Sequence, residues 1–301
     1  MLTNRLSVLR WSRSPKSVTI AIMGHRLRVL AIRAALSCPA ADLSRCSLIP
    51  GTDLLWATPG IEFVLVGEMH GTTETPAIFS DLVCSARSTK RPIVVGVERP
   101  VEEQEAINIF LAPADHEAAV NGLLAQKGWN ELDGRSSRAM LKLLEDLRAM
   151  KQQGMVADVV AFSDARPGEP AAKLEERMAV VLTAAGNRYP DALVIALAGN
   201  LHPSKAVLKS FGYSMMASYI PAERTISLFV SDLGGEAWTS SNGECQPHNL
   251  RSTGGEHRGI TLSKTTAPIP GYDGVLATGL KASPSPPALS DPPAPPACSK
   301  T

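Results

Sequence analysis

Short apolar runs alternate with amphipathic stretches along the chain from residue 61 onward. An apolar, β-branched run of about four to eight residues is typical of a buried strand. Apolar residues spaced three and four apart are typical of a helix with one buried face. The pattern predicts strands at residues 61–66, 92–97, 156–162, 192–197 and 225–230. It predicts helices at residues 77–87, 101–111, 138–151 and 171–185.

The predicted strands are apolar through their length and alternate with the predicted helices. This order indicates an α/β fold with a mainly parallel sheet and helices on both of its faces. Residues 113–134 are prone to form a helix but contain Gly122 and Gly128, and we expect a helical insertion or lid there. The end of the chain is rich in Pro, Ser and Ala, a composition that buries too little apolar surface to fold. We therefore predict one α/β domain at residues 46–280 and a disordered tail at residues 281–301.

The start of the chain differs in charge from the rest, because no Asp or Glu precedes Asp42. Seven basic residues lie in this stretch: Arg5, Arg10, Arg13, Lys16, Arg26, Arg28 and Arg33. A basic segment that lacks acids resembles a targeting segment, so residues 1–45 are interpreted as a leader. We expect a periplasmic or secreted protein if the leader is a signal peptide, and a cytoplasmic protein otherwise.

Composition excludes several classes of function. The 301 residues carry a formal net charge of +1, which argues against a nucleic-acid partner. No apolar run approaches the length that spans a bilayer, so an integral membrane protein is not expected. The five cysteines form no C-x-x-C pair, so a zinc knuckle is not supported. In an exported protein Cys46 could pair with Cys245, and unpaired thiols are the alternative.

Polar residues follow four of the predicted strands. Ligands of open parallel sheets bind beyond the carboxyl ends of the strands, so these residues are predicted to share one rim of the sheet. They are Glu68 and His70 after the first strand, Glu98 and Arg99 after the second, Asp164 and Arg166 after the third, and Asn200 and His202 after the fourth. Such a set predicts a functional site rather than four unrelated turns.

The spacing of these residues suggests chemistry. Glu68 and His70 lie two positions apart, as do Asn200 and His202, so each pair faces one side in an extended chain. Gly67 and Gly199 precede the pairs and remove a side chain where a substrate or a second backbone needs to approach. Two imidazoles with carboxylates can bind a divalent metal or activate water directly. No phosphate loop, dinucleotide fingerprint or G-x-S-x-G elbow is present, which disfavours nucleotide enzymes and serine hydrolases.

Three segments at these strand ends resemble a known superfamily. They are Val66-Gly67-Glu68-Met69-His70-Gly71-Thr72-Thr73-Glu74-Thr75-Pro76, Gly96-Val97-Glu98 and Gly199-Asn200-Leu201-His202. Together they are similar to the superfamily that joins erythromycin esterases, ChaN-like haem-binding uptake proteins and Tiki/TraB-type proteins. The resemblance covers roughly residues 63–279, including Tyr272-Asp273-Gly274-Val275-Leu276.

The resemblance implies divergent activities. Esterase members use the histidine and glutamates of the G-E-x-H region to activate water on a lactone, Tiki-type members are metal-dependent peptidases, and ChaN-like members bind haem. The positions carried over are Glu68, His70, Glu98 and His202, as catalytic residues or, if a metal is bound, as its ligands. Glu74, Arg99, Asp164 and Asn200 are candidates to contact substrate or to support those four residues.

Departures from the family pattern bear on the substrate. The chain lacks room for the large helical part of macrolide esterases. It also has Gly71-Thr72-Thr73 where ChaN-like proteins often carry further histidines or acids. Because the Gly-Thr-Thr-Glu continuation resembles the esterase branch more, a hydrolase of a small-molecule or peptide substrate ranks first. A haem- or metal-binding protein for uptake, without turnover, is the alternative, and a degenerate scaffold is the third possibility.

Overall fold

The computed structural model describes residues 46–113, 115–241 and 244–289. The predicted leader at residues 1–45 lies outside the described residues, as do residues 290–301 of the predicted tail. Six α-helices are described: α1 Thr52–Trp56, α2 Glu74–Ser85, α3 Gln104–Leu111, α4 His116–Leu124, α5 Arg138–Gln152 and α6 Ala171–Asn187. The described strands are β1 Phe63–Glu68, β2 Ile93–Pro100, β3 Asp158–Ser163, β4 Leu193–Gly199, β5 Thr225–Ser231, β6 Gly235–Ser241, β7 Glu244–Leu250, β8 Gly259–Thr261 and β9 Gly274–Ala277.

A seven-stranded sheet in the order β3-β2-β4-β1-β5-β9-β8 forms the centre of the fold. All neighbouring strands in it are parallel except β8, which pairs with β9 in the antiparallel direction. Strands β6 and β7 form a separate antiparallel hairpin. The predicted α/β class with a mainly parallel sheet is therefore confirmed.

Helices cover both faces of the sheet, as predicted. Alternate side chains of a strand point to opposite faces, so Val64 and Val66 join one core cluster while Phe63 and Leu65 join the other. The first cluster contains the buried sides of α2, α3, α4 and α5, and the second contains that of α6. All five strands and all four helices predicted from periodicity are present.

The predicted helical insertion at residues 113–134 contains α4 and a short 3-10 helix at Lys127–Asn130. Asp115 caps α4 by accepting hydrogen bonds from the N–H groups of Glu117 and Ala118. Trp129 is fully buried in the first core cluster. The insertion is thus packed into the domain rather than standing free as a lid.

The disordered tail was predicted to start at residue 281, and this boundary is too early. Residues 282–288, called the C-terminal strap here, hydrogen bond to the rest of the domain. Backbone hydrogen bonds join Ser285 to Gly71 at 2.8 Å, Arg138 to Pro286 at 2.9 Å and Ala288 to Ser136 at 2.8 Å. Proline-rich sequence is ordered here because its carbonyls and remaining N–H groups find partners in neighbouring loops.

The cysteine expectation also needs correction. Cys46 forms a disulfide with Cys84 of α2, not with Cys245. Cys245 is disulfide-bonded as well, in the β6–β7 hairpin. The alternative of unpaired thiols is therefore wrong for both Cys46 and Cys245. No helix among the described residues is long and apolar enough to cross a membrane.

Candidate functional site

The carboxyl ends of β1, β2 and β4 bring four predicted residues together. These strands are neighbours in the order β2-β4-β1, and Glu68 of β1 lies opposite Gly199 of β4 in the register. Glu98 lies near the end of β2, and His70 and His202 follow β1 and β4 directly. The result is a cluster of Glu68, His70, Glu98 and His202 at one rim of the sheet.

His70 and Glu68 form the first pair of the cluster. The Nδ1 of His70 lies 2.9 Å from Oε1 of Glu68, whose side chain is 2% exposed, while 22% of the His70 side chain is exposed. A Cβ at Gly199 would stand 2.8 Å from His70 Nε2, so glycine there leaves room for the imidazole on the end of β4. The carboxylate thus orients the ring and directs Nε2 towards β2 and β4.

His202 forms a matching pair with Glu175, a residue that sequence reasoning missed. The Nδ1 of His202 lies 2.9 Å from both carboxylate oxygens of Glu175 on α6. Glu175 is buried and also accepts a hydrogen bond of 2.7 Å from the N–H of Met216. Its sequence signal is an acid on the apolar stripe of α6, in register with Met178, Ala179 and Leu182.

Glu98 lies between the two imidazoles. His70 Nε2 is 3.7 Å from its Oε2, and His202 Nε2 is 3.7 Å from its Oε1. The N–H of Gly199 donates a hydrogen bond of 2.6 Å to Oε2, which holds this buried carboxylate in place. Both imidazoles therefore aim their second nitrogen at one fixed carboxylate.

Arg135, also missed by sequence reasoning, adds a cation to the cluster. Its Nη1 lies 3.8 Å from Oε1 of Glu98, the oxygen that faces His202. Arg135 is in the loop before α5, far in sequence from every predicted strand end. The helix-prone stretch around it gave no pattern that pointed to the sheet rim.

The ionisable groups of the cluster shift one another's pKa values. Burial alone would lower the pKa of His70, but Glu98 and Glu68 outweigh it and raise that pKa to about 9. Burial likewise opposes the shift at His202, where Glu98 and Glu175 raise the pKa. Burial would raise the pKa of Glu98, but His202, His70 and Arg135 lower it overall. At neutral pH the His70 imidazole is charged and Glu98 is ionised.

Tyr272 is hydrogen bonded to the backbone just before His202. Its hydroxyl donates a hydrogen bond of 2.7 Å to the carbonyl of Asn200, and burial raises the pKa of its phenol. A Cβ at Gly67 would lie 2.0 Å from the Tyr272 oxygen, so the predicted gap at Gly67 is filled by this side chain. The hydroxyl of Tyr272 is thus directed to the backbone that leads to His202.

The other predicted residues occupy different places. Arg99 is fully buried and donates hydrogen bonds to both carboxylate oxygens of Glu103, at 2.8 and 2.9 Å. Glu74 accepts a hydrogen bond of 2.8 Å from the N–H of Ser283 in the C-terminal strap. Asp164, after the edge strand β3, pairs with Arg166 and Arg177. Asn200 contributes its backbone, which donates to the carbonyl of Glu68 at 2.8 Å.

The cluster was tested for its fit to a divalent metal. Within the described ranges, no group of three or more His, Cys, Asp or Glu side chains is placed to hold a metal ion. The Arg135 guanidinium beside Glu98 would also repel a cation. The described residues thus show no metal site, and the divalent metal stays a prediction that elemental analysis tests.

Comparison with known proteins gives a result at the level of the fold. No family model matches the chain, and no curated protein is significantly similar to it. Erythromycin esterase EreC in its open conformation superposes with a TM-score of 0.55 and 10% identity, over 83% of this chain and 98% of the esterase. A Bacillus cereus protein superposes with a TM-score of 0.53 and 12% identity, over 77% of this chain and 91% of that protein.

Haem-binding ChaN of Campylobacter jejuni is a weaker neighbour. It aligns with a TM-score of 0.38 and 14% identity, over 60% of this chain and 84% of ChaN. At the identities of EreC and the Bacillus cereus protein, the likeness concerns the fold alone. These two structures therefore confirm the α/β fold that the motif resemblance implied.

Proposed function

We propose that the protein is a hydrolase that activates water for attack on an ester carbonyl without a bound metal. The observation that carries the proposal is the pair of imidazoles, each held at Nδ1 by a buried carboxylate and each aimed through Nε2 at Glu98. One such pair is a common structural feature. Two pairs that converge on one ionised carboxylate place a candidate general base and a candidate general acid at the same site.

His70 is proposed as the general base. In its neutral form the Nδ1–H donates to Glu68, so Nε2 carries the lone pair that removes a proton from water. The oxygen of that water forms a bond to the ester carbonyl carbon, and the π electrons of the carbonyl move to its oxygen. Glu68 stabilises the imidazolium that results, as the carboxylate does in a catalytic triad.

His202 is proposed as the general acid. Its imidazolium, held by Glu175, donates the Nε2 proton to the leaving oxygen as the carbon–oxygen bond breaks. The products are a carboxylic acid and an alcohol, so one water is consumed for each ester. His70 has then gained the proton that His202 has lost, and exchange with solvent restores both. Glu98 remains ionised throughout and stabilises the two imidazolium states in turn.

Ester hydrolysis by a His70→Ala variant tests the proposal. A p-nitrophenyl ester and a macrocyclic lactone serve as substrates, and His257→Ala, at an exposed histidine elsewhere, is the control. Loss of a general base typically lowers the rate by about 10²–10⁴-fold. We expect a loss of that size in His70→Ala, an unchanged rate in the control, and no effect of a chelator. An unchanged rate in His70→Ala would refute the proposal.

Two further readouts distinguish the alternatives. Loss of the rate on chelation, with about one equivalent of metal in the wild-type protein, would indicate the predicted divalent metal. A Soret band that saturates at about one equivalent of haemin, in a protein without hydrolytic activity, would indicate the haem-binding alternative.

A further inference from the structure

Arg135 lies beside Glu98, on a loop that contributes no residue to the proposed activation of water. Its Nη1 lies 3.8 Å from Oε1 of Glu98, and His202 Nε2 lies 3.7 Å from the same oxygen. The Arg135 side chain is 35% exposed, so a molecule entering from solvent reaches it. Glu98 therefore has a cation on the loop side in addition to the two imidazoles.

The remaining nitrogens of Arg135 are held by carboxylates. Nε donates to Oδ2 of Asp133 at 2.8 Å, and Nη2 lies 2.5 Å from the same oxygen and 3.2 Å from Oε2 of Glu131. These contacts direct Nη1 towards Glu98. Although burial opposes it, the hydrogen bond and charge of Asp133 raise the pKa of Arg135, so the guanidinium stays charged. Nη1 is thus a donor with a fixed direction.

Buried Arg99 holds the loop that carries Arg135. Its Nη1 donates to the carbonyl of Arg135 at 3.1 Å and to Oγ of Ser136 at 2.9 Å. Arg99 itself is fixed by Glu103 and by the Trp129 ring, whose centroid lies 4.4 Å from its guanidinium carbon. Glu98 and Arg99 are adjacent in β2, so one strand places both the carboxylate and the support of the cation opposite it.

The loop that carries Arg135 packs closely against Gly71, which follows β1, and is hydrogen bonded to the C-terminal strap. Gly134 has a φ of +95°, and a Cβ on it would stand 2.7 Å from the backbone nitrogen of Gly71, next to His70. The strap joins the two sides, since Ser285 donates to the carbonyl of Gly71 and Ala288 donates to that of Ser136. Arg135 is therefore preorganised by contacts from three distant parts of the chain.

We propose that Arg135 is a catalytic residue whose Nη1 donates a hydrogen bond to the carbonyl oxygen of the ester and stabilises the oxyanion formed on attack. This inference rests on the proposed hydrolase function. A preorganised donor aimed at the place where charge develops is a large contributor to catalysis. Arg135 can stabilise one negative charge that forms on the carbonyl oxygen, but Glu98, Asp133 and Glu131 around it would repel a second anionic group beside the carbonyl. The expected substrates are therefore esters without a negative charge beside the carbonyl.

The experiment compares Arg135→Gln with Arg166→Gln. The two arginines are matched, because each pairs with an aspartate two residues before it, and Arg166 lies beside β3 outside the cluster. Removal of one oxyanion donor typically lowers kcat by about 10²–10³-fold. We expect a loss of that size in Arg135→Gln with KM little changed, partial recovery in Arg135→Lys, and wild-type kinetics in Arg166→Gln. Thermal unfolding of each variant checks that the fold is intact.

Binding of a phosphonate monoester, a tetrahedral anion that mimics the intermediate, provides a readout without turnover. We expect calorimetry to show binding to the wild-type protein and to Arg166→Gln, and a loss of at least tenfold in affinity in Arg135→Gln. Wild-type kcat in Arg135→Gln, with His70→Ala inactive, would overturn this inference and leave the hydrolase proposal standing. If the wild-type protein hydrolyses no ester, that proposal fails. Phosphonate binding then decides on Arg135 alone, and binding that is absent or independent of Arg135 overturns the inference.

Discussion

At the scale of single residues, the two site histidines share one design feature. Each has its Nδ1 held by a buried carboxylate, Glu68 for His70 and Glu175 for His202, at 2.9 Å. Such a contact fixes the tautomer of a neutral imidazole and stabilises the charged form. Burial alone would lower the pKa of each imidazole, but Glu98 together with the carboxylate at Nδ1 outweighs burial and raises it. The protonation of both rings is therefore set by neighbouring carboxylates rather than by solvent.

The raised pKa of His70 predicts the pH dependence of the reaction. A general base must be neutral, and the His70 imidazole is charged below its pKa of about 9. We expect kcat/KM to rise with pH from 7 towards 9, as His70 loses its proton. Initial rates in buffers of constant ionic strength measure this profile. A flat profile between pH 6 and pH 9 would contradict the assignment of His70 as the base.

The same shift has a consequence for stability. The folded protein binds the His70 proton more tightly than the unfolded chain, whose imidazole has a pKa near 6.5. This contribution is fully present below that value and is lost as pH rises through about 9. The mildly alkaline range that favours the reaction thus reduces the free energy of unfolding.

Glu175 offers a second test at this scale. In Glu175→Gln an amide faces Nδ1 of His202, so the imidazole loses its stabilising charge and its preferred tautomer. Loss of the carboxylate from a catalytic triad lowers kcat by about 10⁴-fold, and we expect a fall of about 10²–10⁴-fold here. Glu176→Gln is the matched control, because Glu176 is exposed and pairs with Lys173. Steady-state kinetics of both variants measure the effect, and equal kcat values would show that Glu175 only packs.

The sequence identified the site residues that directly follow strands and missed those from other elements. Glu68, His70, Glu98 and His202 follow apolar runs, and the rule for parallel sheets places them at one rim. Glu175 is on a helix and Arg135 is in a loop, and both reach the cluster only through tertiary packing. Periodicity indicates which side of a helix is buried but not which side chain it meets, so these two residues could not be assigned.

At the scale of elements, the parallel strands were predictable and the later strands were not. Strands β1 to β5 are buried runs of apolar residues, and such runs carry a strong signal. The hairpin strand β7 contains Pro247 and alternates exposed and half-buried residues, while β8 has three residues. Their pairing depends on partners along the chain, and local sequence says little about it.

The free edge of β3 shows how a side chain completes a sheet. The amide of Gln104, the first residue of α3, donates to the carbonyl of Val159 at 3.0 Å and accepts from the N–H of Ala161 at 2.8 Å. These are the two hydrogen bonds that a neighbouring parallel strand would make. Beside this edge, between α3 and α6, lies a cavity of about 640 Å³. Gln104 thus occupies the part of the edge where another chain could pair.

Removal of Gln104 is predicted to expose this edge. In Gln104→Ala two backbone groups lose their partner, and each lost hydrogen bond costs about 0.5–1.5 kcal/mol. We expect lower stability and association that increases with protein concentration, because an open strand edge is a template for pairing. Chemical denaturation and sedimentation velocity measure the two effects. Glu105→Ala, at the exposed next position of α3, should behave as wild type. A monomer of unchanged stability in Gln104→Ala would contradict the prediction.

At the scale of the whole described structure, the site depends on segments far apart in the sequence. The C-terminal strap bonds to Gly71, Arg138 and Ser136, and the β6–β7 hairpin bonds to Gly71 through the N–H of Trp238 at 2.9 Å. The indole N–H of Trp238 also donates to the carbonyl of Leu132 at 3.1 Å. The parallel sheet supplies the rim that carries the cluster, and these later segments hold the loops beside it. The prediction of a disordered tail from residue 281 therefore missed these contacts.

The disulfide between Cys46 and Cys84 joins the start of the described residues to α2, across 38 positions of sequence. Cross-linking a loop of this length restricts the unfolded chain and is expected to stabilise the fold by about 4 kcal/mol. A disulfide is also the state expected in an oxidising compartment, where the predicted leader would direct the protein if it is a signal peptide. Export itself stays a prediction.

A double variant, Cys46→Ala with Cys84→Ala, tests this contribution. Urea denaturation should show a free energy of unfolding about 2–4 kcal/mol below that of the oxidised wild-type protein. Alkylation before and after reduction, followed by mass spectrometry, shows whether Cys46 and Cys84 are protected in the purified wild type. The hydrolytic rate of the folded variant should be unchanged, because Cys84 lies near the C-terminal end of α2 whereas His70 precedes the N-terminal end of this helix. If Cys46 and Cys84 resist alkylation until they are reduced, yet the free energy of unfolding is the same in both proteins, the disulfide does not stabilise the fold by restricting the unfolded chain.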